Sequence, residues 1–410
     1  MHWLVPYSAL TPSQQNAVML DTVGPRAIVG GPGAGKTLVL LHRLAYLYQK
    51  AGGRRGSVHM FVYTTTLKDF IRSAFVDLDL PPDTVTTFDK WCKDTYRQHV
   101  SHRVPHKRIG ERMIPDFDRI RVELLAAIQG GKAKVPRYDA VLVDEAQDLD
   151  LTAFAIIRSV ARHVTVALDE KQQLFDGRPD ESTVLTALGL QRSNASLIDG
   201  LRCNQRISNL ASHFIKDARK REEFKRQARN ANSTECPLLY VARDHEDEKR
   251  HLAEMISVKV SSADRDSGGG IAVLFPQSRM VHGYAIALRS LGIDVVTDSR
   301  SGIDFGDPRP KVLSYHEAKG LTFDSVFLPR LDTVAFKDGL SARVNQLLFV
   351  GVTRAASWAY LSGQARRLLA PVADLATNPP ADYLAVRHSG AGRPTPNVAD
   401  GDDWIDDVPL

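Results

Sequence analysis

A glycine-rich turn at residues 30–37 constrains this chain of 410 residues more than any other feature. The turn reads GGPGAGKT, follows the apolar run 27–29 and precedes the helical run 38–48. Glycines let backbone N–H groups wrap around phosphates, a lysine reaches the β- and γ-phosphate oxygens, and a threonine hydroxyl binds magnesium. Because strand, loop and helix occur in the required order, we predict a nucleotide-phosphate loop rather than a chance glycine turn. Its predicted ligand residues are Gly33, Gly35, Lys36 and Thr37.

A second feature is a pair of adjacent carboxylates at the end of an apolar, strand-like run in residues 138–148. Asp144 can hold a hydrated magnesium ion, and Glu145 can orient and deprotonate an attacking water. Adjacent acids at a strand end can also be no more than a helix cap. The phosphate loop upstream favours hydrolysis, so we predict that Asp144 binds magnesium and that Glu145 is the catalytic base.

Two series of short apolar runs alternate with helical stretches, which is typical of parallel sheets covered by helices. The first series ends near residue 167, and the second extends from residue 271 to residue 328. We therefore predict two α/β lobes. The predicted bounds are 1–188 for lobe one, 189–376 for lobe two, 377–410 for a flexible acidic tail, and about 92–135 for a small insertion in lobe one with one helix over 116–129.

The composition, with 43% hydrophobic and 25% charged residues, indicates a soluble globular protein. The net charge is +5, and residues 394–410 contain five aspartates and no Lys or Arg, so the rest of the chain sums to +10. A basic body suits a polyanion such as nucleic acid, although many basic proteins bind none. The three cysteines offer neither a disulfide scaffold nor a zinc site, and no apolar run could span a bilayer. We expect a cytoplasmic protein without a signal peptide.

Six motifs in a fixed order resemble those of the UvrD/Rep-like superfamily 1 helicases. They lie at residues 10–18, 144–148, 168–175, 201–203, 315–323 and 349–355. The resemblance extends to about residue 365. It implies an α/β fold of two RecA-like P-loop lobes with ATP bound between them.

The resemblance also assigns roles to residues outside the phosphate loop. Gln14 would read the adenine base, and Gln172 would sense the γ-phosphate. Arg202 and Arg354, from lobe two, would stabilise charge on the transferring phosphoryl group. The implied ligands are therefore ATP and Mg²⁺, and hydrolysis would require closure of the lobes.

Nucleic-acid contacts are implied by the resemblance at Thr64, Lys68, Thr87, Phe88 and His316. Hydroxyls and amines suit phosphate contacts. For any single threonine, an ordinary loop hydroxyl is an equally good interpretation. The implied partner is single-stranded DNA, with RNA as an alternative.

The chain departs from the family at several positions. Thr65 and Gly177 stand where relatives place aromatic side chains that stack on bases, and stacking is worth roughly 1–3 kcal/mol per base. Leu201 replaces an aromatic neighbour of the adenine, and Thr322 replaces a glutamate near the ribose. Residues 293–311 are too few for the family's 2B subdomain. These departures indicate a minimal motor core.

The main prediction is an ATP-dependent translocase or helicase that moves 3′ to 5′ on single-stranded nucleic acid. The alternative is an ATP-driven regulatory switch that gates or recruits a partner nuclease in DNA repair or antiviral defence, without processive unwinding. A phosphotransferase that uses the same loop is a third possibility, and the two arginine motifs argue against it.

Overall fold

The computed structural model describes residues 4–31, 33–169, 181–191, 195–197, 204–226, 235–262, 270–298, 302–337 and 340–390. The chain forms two compact units, the first being Leu4–Asp199 and the second beginning at Gly200. The first unit extends beyond the predicted bound at residue 188, because strand β8 (Ser196–Leu197) still pairs with its sheet. Gln172, Leu201, Arg202 and Gly177, together with residues 391–410, lie outside the described residues.

The first unit contains a six-stranded sheet in the order β3-β2-β6-β7-β1-β8, and all of its pairings are parallel. Its other strands are β1 (Arg26–Val29), β2 (Val58–Val62), β3 (Val85–Thr87), β6 (Tyr138–Val143) and β7 (Ala161–Leu168). Parallel strands covered on both faces read as continuous apolar runs, which is why the sequence predicted them. The expected α/β fold is confirmed.

The described helices of the first unit are α1 (Pro12–Val18), α2 (Lys36–Lys50), α3 (Thr65–Arg72), α4 (Phe88–His99), α5 (Phe117–Gln129), α6 (Leu151–Val160) and α7 (Glu181–Ala187). Side-chain caps begin α1, α3, α4, α5 and α6, whereas α2 has Gly35 at its N-cap and no side-chain cap. Thr11, Thr64 and Thr87 accept hydrogen bonds from the backbone N–H three residues later, and Asp116 and Asp150 do the same for α5 and α6. Helices α4, α5, α6 and α7 share one buried core with residues of the sheet.

The predicted insertion is built from α4, α5 and a small antiparallel hairpin between them. The hairpin pairs β4 (His106–Ile109) with β5 (Arg112–Pro115). The predicted helix over 116–129 is confirmed as α5, with Asp116 as its N-cap and Gly130 as its C-cap. Cys92 and Leu124 belong to the core of the unit, so α4 and α5 are part of the first lobe's packing.

The second unit has a seven-stranded sheet in the order β11-β12-β10-β13-β14-β9-β15, again with parallel pairings. Its strands are β9 (Leu238–Ala242), β10 (Ile271–Phe275), β11 (Val296–Thr297), β12 (Lys311–Ser314), β13 (Phe323–Leu328), β14 (Ala355–Gln364) and β15 (Ala385–His388). Its helices are α8 (Gln205–His213), α9 (Ala218–Arg226), α10 (His245–Ser262), α11 (Ser278–Ser290), α12 (Val344–Val352) and α13 (Ala370–Thr377).

The second sheet extends further along the chain than predicted. β15 pairs with β9 in parallel register, so the expectation of a flexible tail from residue 377 does not hold for this strand. Sequence patterns missed β15 because its residues are mostly exposed at the sheet edge and show no apolar run. Within the described ranges, each helix is too short or too polar to cross a membrane.

Candidate active site

The glycine-rich turn connects β1 to α2 in the first unit, as the sequence predicted. Gly33 and Gly35 have φ angles of 73° and 82°, in the left-handed region that favours glycine. A Cβ at Gly35 would also lie 2.8 Å from the Nε2 atom of Gln14. Gly35 is therefore required both by its backbone conformation and by the close approach of a side chain.

Lys36 lies at the start of α2 and is only 7% exposed. Its Nζ donates hydrogen bonds to the carbonyl oxygens of Gly30, at 2.8 Å, and Gly31, at 2.9 Å. A third bond of 3.1 Å goes to Oδ2 of Asp169, which follows β7. The ammonium group is thus held within the loop that it would share with a bound phosphate.

Thr37 and Asp144 meet at the carboxyl edge of the sheet. The Thr37 hydroxyl donates a 2.7 Å hydrogen bond to Oδ2 of Asp144, whose Oδ1 accepts the backbone N–H of Glu145 at 3.0 Å. Burial, and after it the charge of Glu145, raise the pKa of Asp144 above its ordinary value. The site therefore concentrates negative charge that its own hydrogen bonds do not fully offset.

A magnesium ion suits this donor set, because Mg²⁺ prefers oxygen ligands and usually takes one or two carboxylates together with phosphate oxygens and waters. Thr37 and Asp144 are the residues that would hold it. In the described part of the chain, no group of three His, Cys, Asp or Glu side chains could hold a metal.

Glu145, the predicted base, is 4% exposed and has a φ angle of 49°, in the left-handed region. Its Oε2 accepts a 2.5 Å hydrogen bond from Nε2 of Gln147. The Oε1 atom of Gln147 accepts the backbone N–H of Asp169 at 3.0 Å. Sequence reasoning assigned no role to Gln147 or Asp169, and the available signal was their position just after two central strands.

Gln14 touches the phosphate loop. Its Nε2 donates a 2.9 Å hydrogen bond to the carbonyl oxygen of Ala34, and its Oε1 accepts the backbone N–H of Thr11 at 3.0 Å. A glutamine amide offers two N–H donors and two lone pairs, so these two bonds do not use its full capacity. The predicted base reader therefore lies against the loop that carries Lys36.

The predicted nucleic-acid residues of the first unit make contacts within the fold. Thr64 and Thr87 cap α3 and α4, and Thr64 is buried. Lys68 pairs with Asp69 at 3.0 Å. The Phe88 ring is 2% exposed and packs against Phe61 with ring centroids 5.2 Å apart. The Phe88 side chain is a core residue and not a surface for bases.

Arg354 and His316 belong to the second unit. Arg354 is 3% exposed, and its guanidinium donates to the carbonyl oxygens of Val350, at 3.1 Å, and Leu321, at 2.9 Å. His316 is exposed just after β12. Neighbouring Gly351 is closely packed, since a Cβ there would lie 3.0 Å from Cδ2 of Leu328.

Comparison with known proteins gives two family matches. Residues 14–178 match the model of an AAA domain, and residues 311–362 match the model of the UvrD-like helicase C-terminal domain. No curated protein matches the chain. Among solved structures, the chain is similar to the C-terminal domain of a possible DNA helicase from Lactobacillus plantarum WCFS1, with 17% identity, a TM-score of 0.35, and coverage of 45% of this chain and 97% of that one.

The two family matches bear directly on the resemblance. The AAA match contains the phosphate loop and the carboxylate pair, and the C-terminal match contains the helicase-like motifs at residues 315–323 and 349–355. They follow each other in the order of the helicase motifs. Together they confirm the resemblance of this chain to the UvrD-like helicases.

Proposed function

We propose that this chain is a magnesium-dependent ATPase that moves along single-stranded nucleic acid, DNA rather than RNA, in the 3′ to 5′ direction. The observation that carries the proposal is the junction of Lys36, Thr37, Asp144 and Glu145, where a glycine-rich loop meets two buried carboxylates. The helicase-type matches support a nucleic-acid motor over other uses of such a loop.

In this proposal each residue of the junction has a separate task. Lys36 exchanges its bonds with the carbonyl oxygens of Gly30 and Gly31 for phosphate oxygens. Glu145 orients a water in line with the γ-phosphorus and accepts its proton as the bond to the leaving oxygen breaks. Magnesium, when bound, neutralises charge on the β- and γ-phosphoryl oxygens.

Three further residues are assigned to the transition state. Gln172 is proposed to sense the γ-phosphate, and Arg202 and Arg354 are proposed to stabilise the charge that develops on the transferring group. Two residues assigned to the nucleic-acid backbone, Lys68 and His316, have side chains whose chemistry suits phosphate contact.

A regulatory switch is the second candidate, and one observation favours it. Thr65 is exposed at the start of α3 and has a small side chain where the helicases that this chain resembles stack an aromatic ring on a base. Loss of stacking weakens the grip on each base. A protein with this site could hydrolyse ATP to gate a partner nuclease without moving along the strand.

The decisive experiment measures ATP hydrolysis with and without single-stranded DNA. Strong stimulation by DNA supports the motor, and hydrolysis that DNA leaves unchanged supports the switch. Glu145→Gln should bind ATP and fail to hydrolyse it, because the variant retains the shape and loses the base. A wild-type protein without ATPase activity would overturn both candidates.

A further inference from the structure

Arg43, in the middle of α2, is a fully buried cation outside the junction. Its side chain hydrogen-bonds the hydroxyl of Thr165 at 2.9 Å and Nε2 of His163 at 3.0 Å. It also donates to three backbone carbonyl oxygens, those of Val18 at 2.9 Å, Leu20 at 2.7 Å and Asp21 at 3.3 Å. These contacts match the five N–H donors of a guanidinium. None of these partners is a carboxylate. A buried charge is costly without such compensation, so this complete set of bonds indicates a specific task.

The task concerns the end of α1. Val18 is the last residue of this helix, Met19 is its C-cap, and Leu20 and Asp21 come next. Backbone carbonyls at a helix C-terminus lack partners within the helix and carry partial negative charge, which a cation stabilises. Arg43 therefore fixes the carboxyl end of α1 to α2 and, through Thr165, to β7.

The other end of α1 is fixed by Gln14. Its amide bonds the Ala34 carbonyl of the phosphate loop and closes a capping box with Thr11. A helix of seven residues is marginal on its own, so its position depends on what holds its two ends. The proposed base reader thus lies on a short helix that is clamped at one end by its own side chain and at the other by Arg43.

Arg43 and Lys36 lie on the same helix, α2, two turns apart. A rigid helix therefore connects the residue proposed to bind phosphate with the residue that holds α1. This arrangement sets the separation between the phosphate loop and Gln14. The base and the phosphates of one nucleotide are covalently linked and span a limited range of distances, so this separation affects whether Gln14 meets the base edge.

We propose that Arg43 is a positioning residue for nucleobase selectivity, acting through α1 and Gln14. This inference depends on the proposed function, because it requires a nucleotide at the phosphate loop. The bonds of Lys36 and Thr37 are made at the N-terminal end of α2, about two turns from Arg43, and do not include Arg43. Loss of Arg43 should therefore weaken recognition of the base and leave recognition of the triphosphate intact.

The test uses equilibrium binding. A fluorescent ADP is displaced from the full-length protein by ATP, GTP or inorganic tripolyphosphate, each with magnesium. Arg43→Met removes every donor and keeps an unbranched side chain. We expect the ratio of ATP to GTP affinity to fall about 5- to 10-fold, the value of roughly one hydrogen bond, and tripolyphosphate affinity to change less than about 2-fold.

Arg121→Met is the matched control. Arg121 is also a buried arginine of the first unit, 6% exposed, and it pairs with Asp89 at 2.7 Å and Asp150 at 3.1 Å. The control should lower the melting temperature without changing the ATP to GTP ratio. Combining Gln14→Ala with Arg43→Met should lower the ratio no further than Gln14→Ala alone, because both act through one contact.

Several outcomes would overturn the inference. An equal loss of ATP and tripolyphosphate affinity in Arg43→Met would show a general structural role, and so would a changed ratio in Arg121→Met. If Arg43→Met does not fold, Thr165→Val replaces it, because this substitution removes the acceptor of Arg43 Nε. Thr165→Val should lower the ratio of ATP to GTP affinity about 2- to 3-fold. An unchanged ratio in this variant would contradict the inference. A wild-type protein that hydrolyses ATP and binds GTP equally well would end this inference and leave the proposed function standing.

Discussion

Gln147 joins the carboxylate of Glu145 to the backbone of Asp169. Its Nε2 lies 2.5 Å from Oε2 of Glu145, and its Oε1 lies 3.0 Å from the amide nitrogen of Asp169. The two bonds have opposite polarity, so they fix the orientation of the amide group. Glu145 has a left-handed backbone, which costs on the order of 1–3 kcal/mol in a non-glycine residue and persists only where its surroundings hold it.

The first prediction is that Gln147→Met lowers kcat for ATP about 10- to 100-fold, which corresponds to the loss of one hydrogen bond to a charged group. Nucleotide affinity should stay within about 2-fold, since Lys36 and Thr37 keep their bonds. Single-turnover hydrolysis and equilibrium binding of ATP separate the two effects. Full activity in this variant would show that Glu145 needs no support from Gln147.

The second prediction concerns Asp169, which accepts a bond from Lys36 within the loop. Both side chains are buried, at 2% and 7% exposure, so Asp169→Asn leaves the ammonium with less compensation and destabilises the ligand-free protein. A bound phosphate restores the compensation. We therefore expect a larger rise in melting temperature on adding ADP and magnesium than in the wild type, measured by scanning calorimetry. An equal or smaller rise would contradict the competition between Asp169 and phosphate.

Sequence predicted those parts of the site whose residues are neighbours along the chain. The phosphate loop and the carboxylate pair are continuous motifs that follow apolar strands, and their placement required no tertiary information. Arg43 contacts His163 across 120 positions and Lys36 contacts Asp169 across 133. No local pattern reveals such pairs, since α2 reads as an ordinary amphipathic helix.

Two assignments show how a motif position can have a structural role. Phe88 matches a position that touches nucleic acid in the family that this chain resembles, yet its ring packs on Phe61. An aromatic residue at a helix start has the same sequence signature whether it faces a ligand or the core. Thr87 caps the same helix through its hydroxyl, a role that a threonine directly before a helical run could have indicated.

The third prediction is that Gly35→Ala abolishes nucleotide binding and lowers the melting temperature without unfolding the protein. The substitution places a Cβ 2.8 Å from Nε2 of Gln14 and forces alanine to adopt a φ angle of 82°, at a cost of roughly 1–2 kcal/mol. Gly35→Ala combined with Gln14→Ala relieves only the clash. We expect the double variant to recover part of the lost melting temperature and no tripolyphosphate binding. Recovery of binding would show that the clash alone, and not the loop conformation, is responsible.

The last prediction concerns the acid sensitivity of the Arg43 cluster. Burial, and after it the charge of Arg43, lower the pKa of His163 from 6.5 to about 4; Arg26 acts in the same direction, whereas the Gly24 carbonyl and Asp21 oppose it. The unfolded chain therefore binds this proton near pH 6.5 and the folded chain only near pH 4. Stability from neutral His163 is present above pH 6.5 and is lost as the pH falls towards 4, by an amount on the order of 3 kcal/mol.

His163→Gln removes the titrating imidazole and supplies an amide that can bond Arg43 and the Gly24 carbonyl. In the wild type these two partners lie 3.0 and 2.8 Å from the ring nitrogens. The variant should be less stable than the wild type at pH 7.5, because its fit is poorer. Its free energy of unfolding should fall less between pH 7 and pH 4, as measured by urea denaturation. His102→Gln is a suitable control, since His102 is exposed and lies outside the cluster. An equal fall with pH in His163→Gln and the wild type would show that His163 is not the group that takes up the proton.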